Sequence, residues 1–146
     1  MTRVQTCALP IYTGLSDYEY VLNELRHILL EKDVKQVHTY NVGTSIRQTD
    51  YEALNYQADK VFVFTDEHFA FSDESEMLDS GMYACIYLDS YDAETDGAKQ
   101  LLDFCHKHSY RISGDYICEV MTEFNVFDAS QRNMYLRLQV PVKFDR

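Results

Sequence analysis

Tryptophan is absent from this chain of 146 residues, and basic side chains are few: 13 Lys and Arg stand against 24 Asp and Glu, a formal charge of -11. Neutralising phosphates takes a positive surface, so direct nucleic-acid binding is excluded as an expectation. An acidic field favours cations instead, and it also serves plain solubility. Cys7, Cys85, Cys105 and Cys118 are scattered without CxxC spacing, which fits reduced thiols rather than a disulfide framework or a zinc site. No apolar run is long enough to cross a bilayer, and the start lacks the basic stretch and apolar core of a signal peptide, so no membrane contact and a cytoplasmic location are expected. There is no GxSxG, HExxH, P-loop or dinucleotide fingerprint. His106 and His108 beside Cys105 form a local cluster at a helix end and read as solvated rather than as metal ligands. Neither a metal nor a cofactor is expected.

What is abundant is tyrosine: twelve Tyr and eight Phe. A tyrosine ring joins a flat apolar face to a polar tip, which suits a pocket for flat or cationic molecules as well as an ordinary half-buried core. The length allows one domain with a sizeable core.

Ser16 and Glu19 make a capping box, with Leu15 and Tyr20 placed as a hydrophobic staple, so a helix begins there. Tyr18, Val21, Leu22, Leu25, Ile28 and Leu29 continue it as one apolar stripe that ends before Asp33 and should face a sheet. β-Branched content rises across 37–46 around Tyr40 and Val42, and Val61-Phe62-Val63-Phe64 reads as a strand. The acidic stretch 65–80 reads as a surface connection. Segment 82–88 alternates, with Tyr83, Cys85 and Tyr87 on one face and Ala84, Ile86 and Leu88 on the other. A second helix over 92–108 carries Ala98, Leu101, Leu102 and Cys105 on one stripe. The chain closes with a strand over 116–121, a turn-rich link over 125–133, and a strand with Leu136, Leu138, Val140 and Val142 on one face. Pro141 marks that last strand as an edge, or marks its end.

This order predicts an α+β fold of two β-α-β-β repeats, an antiparallel sheet with both helices on one face, the first repeat lacking its leading strand. Residues 1–14 alternate poorly around Pro10 and read as an arm that is either foreign to the domain, in the manner of translated adaptor sequence, or natural but irregular. Residues 15–146 then form the domain, with a sheet edge left open by the absent strand.

Inside the apolar run Tyr116-Ile117-Cys118-Glu119-Val120-Met121 stands one carboxylate. Strict alternation places Glu119 with Ile117 and Met121, away from Tyr116, Cys118 and Val120. Burying it ionised costs several kcal/mol unless a cation or a hydrogen-bond donor answers it. Two readings are open: a structural one, with Glu119 wetted or paired to a nearby Arg or Lys, and a functional one, with Glu119 facing a ligand.

Two segments, Ser80-Gly81-Met82-Tyr83-Ala84-Cys85-Ile86-Tyr87 and Ser113-Gly114-Asp115-Tyr116-Ile117-Cys118-Glu119-Val120-Met121, resemble the GyrI-like effector-binding domain, as found in the C-terminal drug-binding domain of MerR-type multidrug-responsive transcription activators. The likeness spans roughly 16–144. It implies a cleft that holds a lipophilic cation between tyrosines and a strand glutamate. On that likeness Glu119 falls on the glutamate after a one-residue insertion, with Glu123 as the substitute, and Met121 falls on an apolar pocket residue. Tyr40, Tyr56 and Tyr18 fall on pocket tyrosines, Tyr91 stands in for an aromatic residue, and Tyr135 rather than Met134 takes the last position. The function so implied is that of a non-catalytic sensor domain of a transcriptional regulator. Its partner would be a lipophilic cationic or aromatic small molecule, with DNA engaged only through an N-terminal region missing here, and a homodimer of the full-length protein is compatible with it. The same likeness leaves two alternatives: a stand-alone GyrI-like hydrolase of reactive small electrophiles with Glu119 as general base, or a gyrase-inhibitor-like protein-binding module.

Overall fold

A computed structural model describes residues 4–10, 18–31, 41–65, 75–78, 81–124 and 133–144. The fold is α+β, with antiparallel strands and helices in the order β1 (Val4–Pro10), α1 (Tyr18–Glu31), β2 (Val42–Ile46), α2 (Gln48–Glu52), β3 (Lys60–Thr65), β4 (Ser75–Leu78), β5 (Tyr83–Leu88), α3 (Glu94–Lys107), β6 (Tyr110–Ile112), β7 (Tyr116–Phe124) and β8 (Asn133–Phe144). A 3-10 turn, Tyr91–Ala93, leads into α3. The chain divides into two compact units, Met1–Thr44 with Ala58–Ser80, and Ser45–Gln57 with Gly81–Arg146.

In the first unit β1 lies between β3 and β4 and is antiparallel to both, with Cys7 opposite Val63 on one side and Ser75 on the other. Helix α1 packs against β1 and β3. Its buried residues Leu22, Leu25 and Leu29 follow the expected stripe, and Val61 and Val63 are fully buried. Two expectations are corrected here. The first repeat does have a leading strand, because pairing on both sides of Val4–Pro10 supplies ladder hydrogen bonds that intrinsic alternation does not report. Pro10 stands at its end, where a missing N–H is tolerated. The acidic stretch is not all connection, since Ser75–Leu78 forms β4 against β1.

The second unit is organised around β8, which pairs with β5 along one side and with β7, then β6, along the other. Leu136, Leu138, Val140 and Val142 all point to one buried face, as the alternation predicts. They meet Tyr116, Cys118, Ala84 and Ile112 from the neighbouring strands and Ala98, Leu101, Leu102 and Cys105 from α3. Helix α3 comes close to the sheet at Gly97, where an added Cβ would stand 2.7 Å from a Leu88 methyl and 3.0 Å from a Leu138 methyl. The short helix α2, not foreseen in the polar sequence before β3, brings Tyr51 into this core, and the Tyr51 hydroxyl donates to the Ala98 carbonyl at 2.7 Å.

Pro141 does not make β8 an edge. Its place in the ladder falls where β7 has ended and β6 begins, after the Ile117–Gln139 pair and before the Ile112–Val142 pair. Its carbonyl accepts from the Ser113 amide at 2.9 Å, and Gly114 lies so near that a Cβ there would approach the Pro141 ring to 2.7 Å. The imide nitrogen therefore costs no ladder bond to a strand. Among the described residues no helix is long and apolar enough to cross a membrane.

Leu138, at 0% exposure in the middle of the central strand, packs within both the sheet and the helix core. Leu138→Ala is expected to lower unfolding stability by about 2–5 kcal/mol, read from urea denaturation. A loss well under that range would mean that α3 and the sheet collapse onto the vacated volume.

Candidate functional site

The register that buries the even-numbered residues of β8 turns the odd-numbered ones to the face opposite α3. Cross-strand pairing aligns Tyr87, Arg137 and Glu119 in one row, with Arg137 in the middle, and Cys85, Gln139 and Ile117 in the next. Glu119 is buried, and Arg137 Nη2 donates to its Oε2 in a close ion pair. The two side chains are unequally covered, at 31% exposure for Arg137 and 6% for Glu119. Burial pulls the Arg137 guanidinium down, but the Glu119 charge and hydrogen bonds with Tyr87 and Glu119 outweigh it and leave the group raised. Arg137 Nε is buried and has no hydrogen-bond partner among the described residues.

Two aromatic rings stand beside this pair. Tyr87 and Tyr135 are 54% and 41% exposed, with ring centroids 6.1 Å apart and planes at 31°. The strand face thus presents two accessible rings beside the Arg137–Glu119 pair. A flat molecule can lie on the rings, and a positive group on it would find the carboxylate within the same row.

The residues anticipated from sequence are placed unevenly. Glu119 and Tyr135 come together on this face. Met121 sits at a bulge: the register shifts between Val120 and Thr122, so Thr122 pairs with Tyr135 and Glu123 with Met134. This breaks the two-residue alternation that linked Glu119 with Met121 and Glu123. Tyr56 lies elsewhere, half-buried against the α3 core with its ring 6.1 Å from Tyr51. Tyr40 falls outside the described residues, as do the side chains of Tyr18 and Tyr91. His106 and His108 are exposed, the His108 ring lying 4.3 Å from Phe104.

Sequence reasoning missed Arg137 and Tyr87. Arg137 was signalled by parity, since Leu136, Leu138 and Val140 claim one face of β8 and Arg137 must take the other; the place of Tyr87 opposite Arg137 depends on a register that only the fold reveals.

A second carboxylate, Glu94 in the first turn of α3, serves the core on the opposite side. The Tyr116 hydroxyl donates to Glu94 Oε1 at 3.2 Å, and the Tyr116 and Tyr51 rings stack at 4.7 Å. Burial pushes the Glu94 carboxyl up, while hydrogen bonds with Cys118 and Tyr116 pull part of the shift back. Burial also raises the Tyr116 and Tyr51 phenols. This cluster packs and orients: the Tyr51 and Tyr116 rings are fully buried, while Glu94 is half-buried.

Two outcomes follow from these carboxylates. Removing Arg137 alone leaves Glu119 without its guanidinium. Arg137→Met is expected to cost about 2–3 kcal/mol, at or below the low end for a buried pair because Arg137 is partly solvated. The double variant Glu119→Gln with Arg137→Met should recover most of that, and simple additivity in the urea double-mutant cycle would deny the coupling. For Glu94 the folded carboxyl lies above its ordinary value of 4.5. Its contribution is therefore complete below the unfolded value and is lost as pH rises through the folded one. Glu94→Gln should accordingly gain stability relative to the unmodified chain as pH rises from below 4.5 through the raised folded value, with no further gain above it. A difference that stays flat with pH would contradict this.

No family model matches the chain, and no curated protein matches it either.

Proposed function

We propose that this chain is a small-molecule effector-binding domain, the sensor part of a cytoplasmic transcriptional regulator, which takes planar aromatic or lipophilic cationic ligands on the face of β5, β8 and β7 opposite α3. The observation that carries this reading is a carboxylate at 6% side-chain exposure on the strand face opposite the helix, in one row with an accessible tyrosine and beside a second. A carboxylate needed only for solubility would sit in water. One that is covered, yet lies beside exposed rings, suits recognition of charge together with flat apolar surface.

The likeness to the GyrI-like effector-binding domain supports the same choice of glutamate and adds Tyr135 to it. Binding energy comes from the rings and from desolvation, with the carboxylate discriminating by charge. Shape tolerance follows, because stacking on tyrosine asks only for a flat face. The acidic balance of the chain leaves DNA contact to a separate N-terminal region.

A thermal-shift screen with matched cationic and neutral aromatics tests the reading. Cations are expected to raise the melting temperature more than neutral compounds of equal ring area. Tyr87→Ala and Tyr135→Ala should each weaken binding by roughly two- to thirtyfold, the span of one cation-π contact. Absence of any shift across the screen would refute the proposal.

A further inference from the structure

Arg137 lies where a ligand's positive group would have to go. It is the direct cross-strand neighbour of both Glu119 and Tyr87, and its side chain bridges the covered carboxylate and the exposed ring. Glu119 is reached through Arg137, since the guanidinium is the more exposed member of the pair by 31% to 6%. We propose that Arg137 is a built-in competitor that occupies Glu119 in the empty domain, and that a ligand's cation displaces it toward solvent. The inference rests on the effector-binding reading above and names the residue that sets its selectivity.

The physical case has three parts. Ionised Glu119 at this burial pays a desolvation cost, and the Arg137 charge offsets part of it in the unliganded state. The guanidinium is an imperfect tenant: its Nε is buried with no partner among the described residues, a group that regains hydrogen bonds when the side chain moves into water. Finally, the exchange conserves charge, so the carboxylate is answered both before and after binding. A small hydrated cation gains too little to drive it. A cation carrying an aromatic surface also covers Tyr87 and Tyr135, and that extra contact makes displacement favourable. Arg137 thereby rejects simple ammonium ions and admits aromatic ones.

The test uses N-methylacridinium, a planar fixed cation, against acridine in its neutral form, with the full chain. Arg137→Gln removes the competing charge while keeping an amide donor for Glu119, and Arg137→Met removes both; circular dichroism and urea melts establish that each variant is folded. Either folded variant is expected to bind N-methylacridinium about tenfold more tightly than the unmodified chain, with acridine unchanged. In the unmodified chain, saturation with N-methylacridinium should speed exchange of the Arg137 Nε–H with water, a nitrogen-15 NMR reading that needs no variant to fold. If the unmodified chain binds the cation but the variants bind it no more tightly and the Nε–H exchange is unaltered, Arg137 is not a competitor and the effector-binding reading stands without it. If no form binds either compound, both fail.

Discussion

Strand β8 is paired along its length with β7 and then β6 on one flank, and across 136–141 with β5 on the other, and the double pairing of its middle leaves its register no freedom. A slip of one residue would move Leu136, Leu138, Val140 and Val142 to the face that now carries Tyr135, Arg137 and Gln139, and would put Arg137 against α3. Four buried aliphatic side chains oppose that slip. The same constraint that builds the core therefore decides what the opposite face displays.

The two faces of this sheet handle their carboxylates, half-buried Glu94 and buried Glu119, in different ways. On the α3 side Glu94 is raised by burial and answered by neutral donors, Tyr116 and Cys118, within a stack of tyrosine rings. On the opposite side Glu119 is answered by a full charge. Neutral donors favour a rigid, closed packing arrangement. A guanidinium that is nearly one-third exposed can leave its partner, because water receives it at little cost, and a second cation can take its place. The difference in solvent access between Arg137 and Glu119 is what separates a structural ion pair from one that can exchange.

Irregularities in the strands mark the limits of that face. The bulge at Met121 ends the strict pairing begun at Ile117, and the passage from β7 to β6 at Pro141 uses Gly114 to bring the backbone close. Between them lies the row that holds Tyr87, Arg137 and Glu119 in register. Bulges re-aim side chains at the margins of such faces, and here one separates Glu123 from the parity of Glu119.

The sequence by itself determined the α+β class, the stripe of α1, the apolar face of α3 and the inward residues of β5 and β8, because these depend on periodicities of 3.6 and 2 that are written into local residue order. It also singled out Glu119, whose anomaly is chemical and local. Tertiary structure alone decided the rest. Strand β1 exists because β3 and β4 flank it, not because Val4–Pro10 alternates. Tyr56 went to the α3 core through a position that no spacing encodes. Arg137, the cation paired with Glu119, lies 18 residues away in sequence and directly opposite in space. Pairing across strands is a non-local choice, settled by which register buries the most apolar surface, and so the identity of the cation beside Glu119 had to wait for the fold.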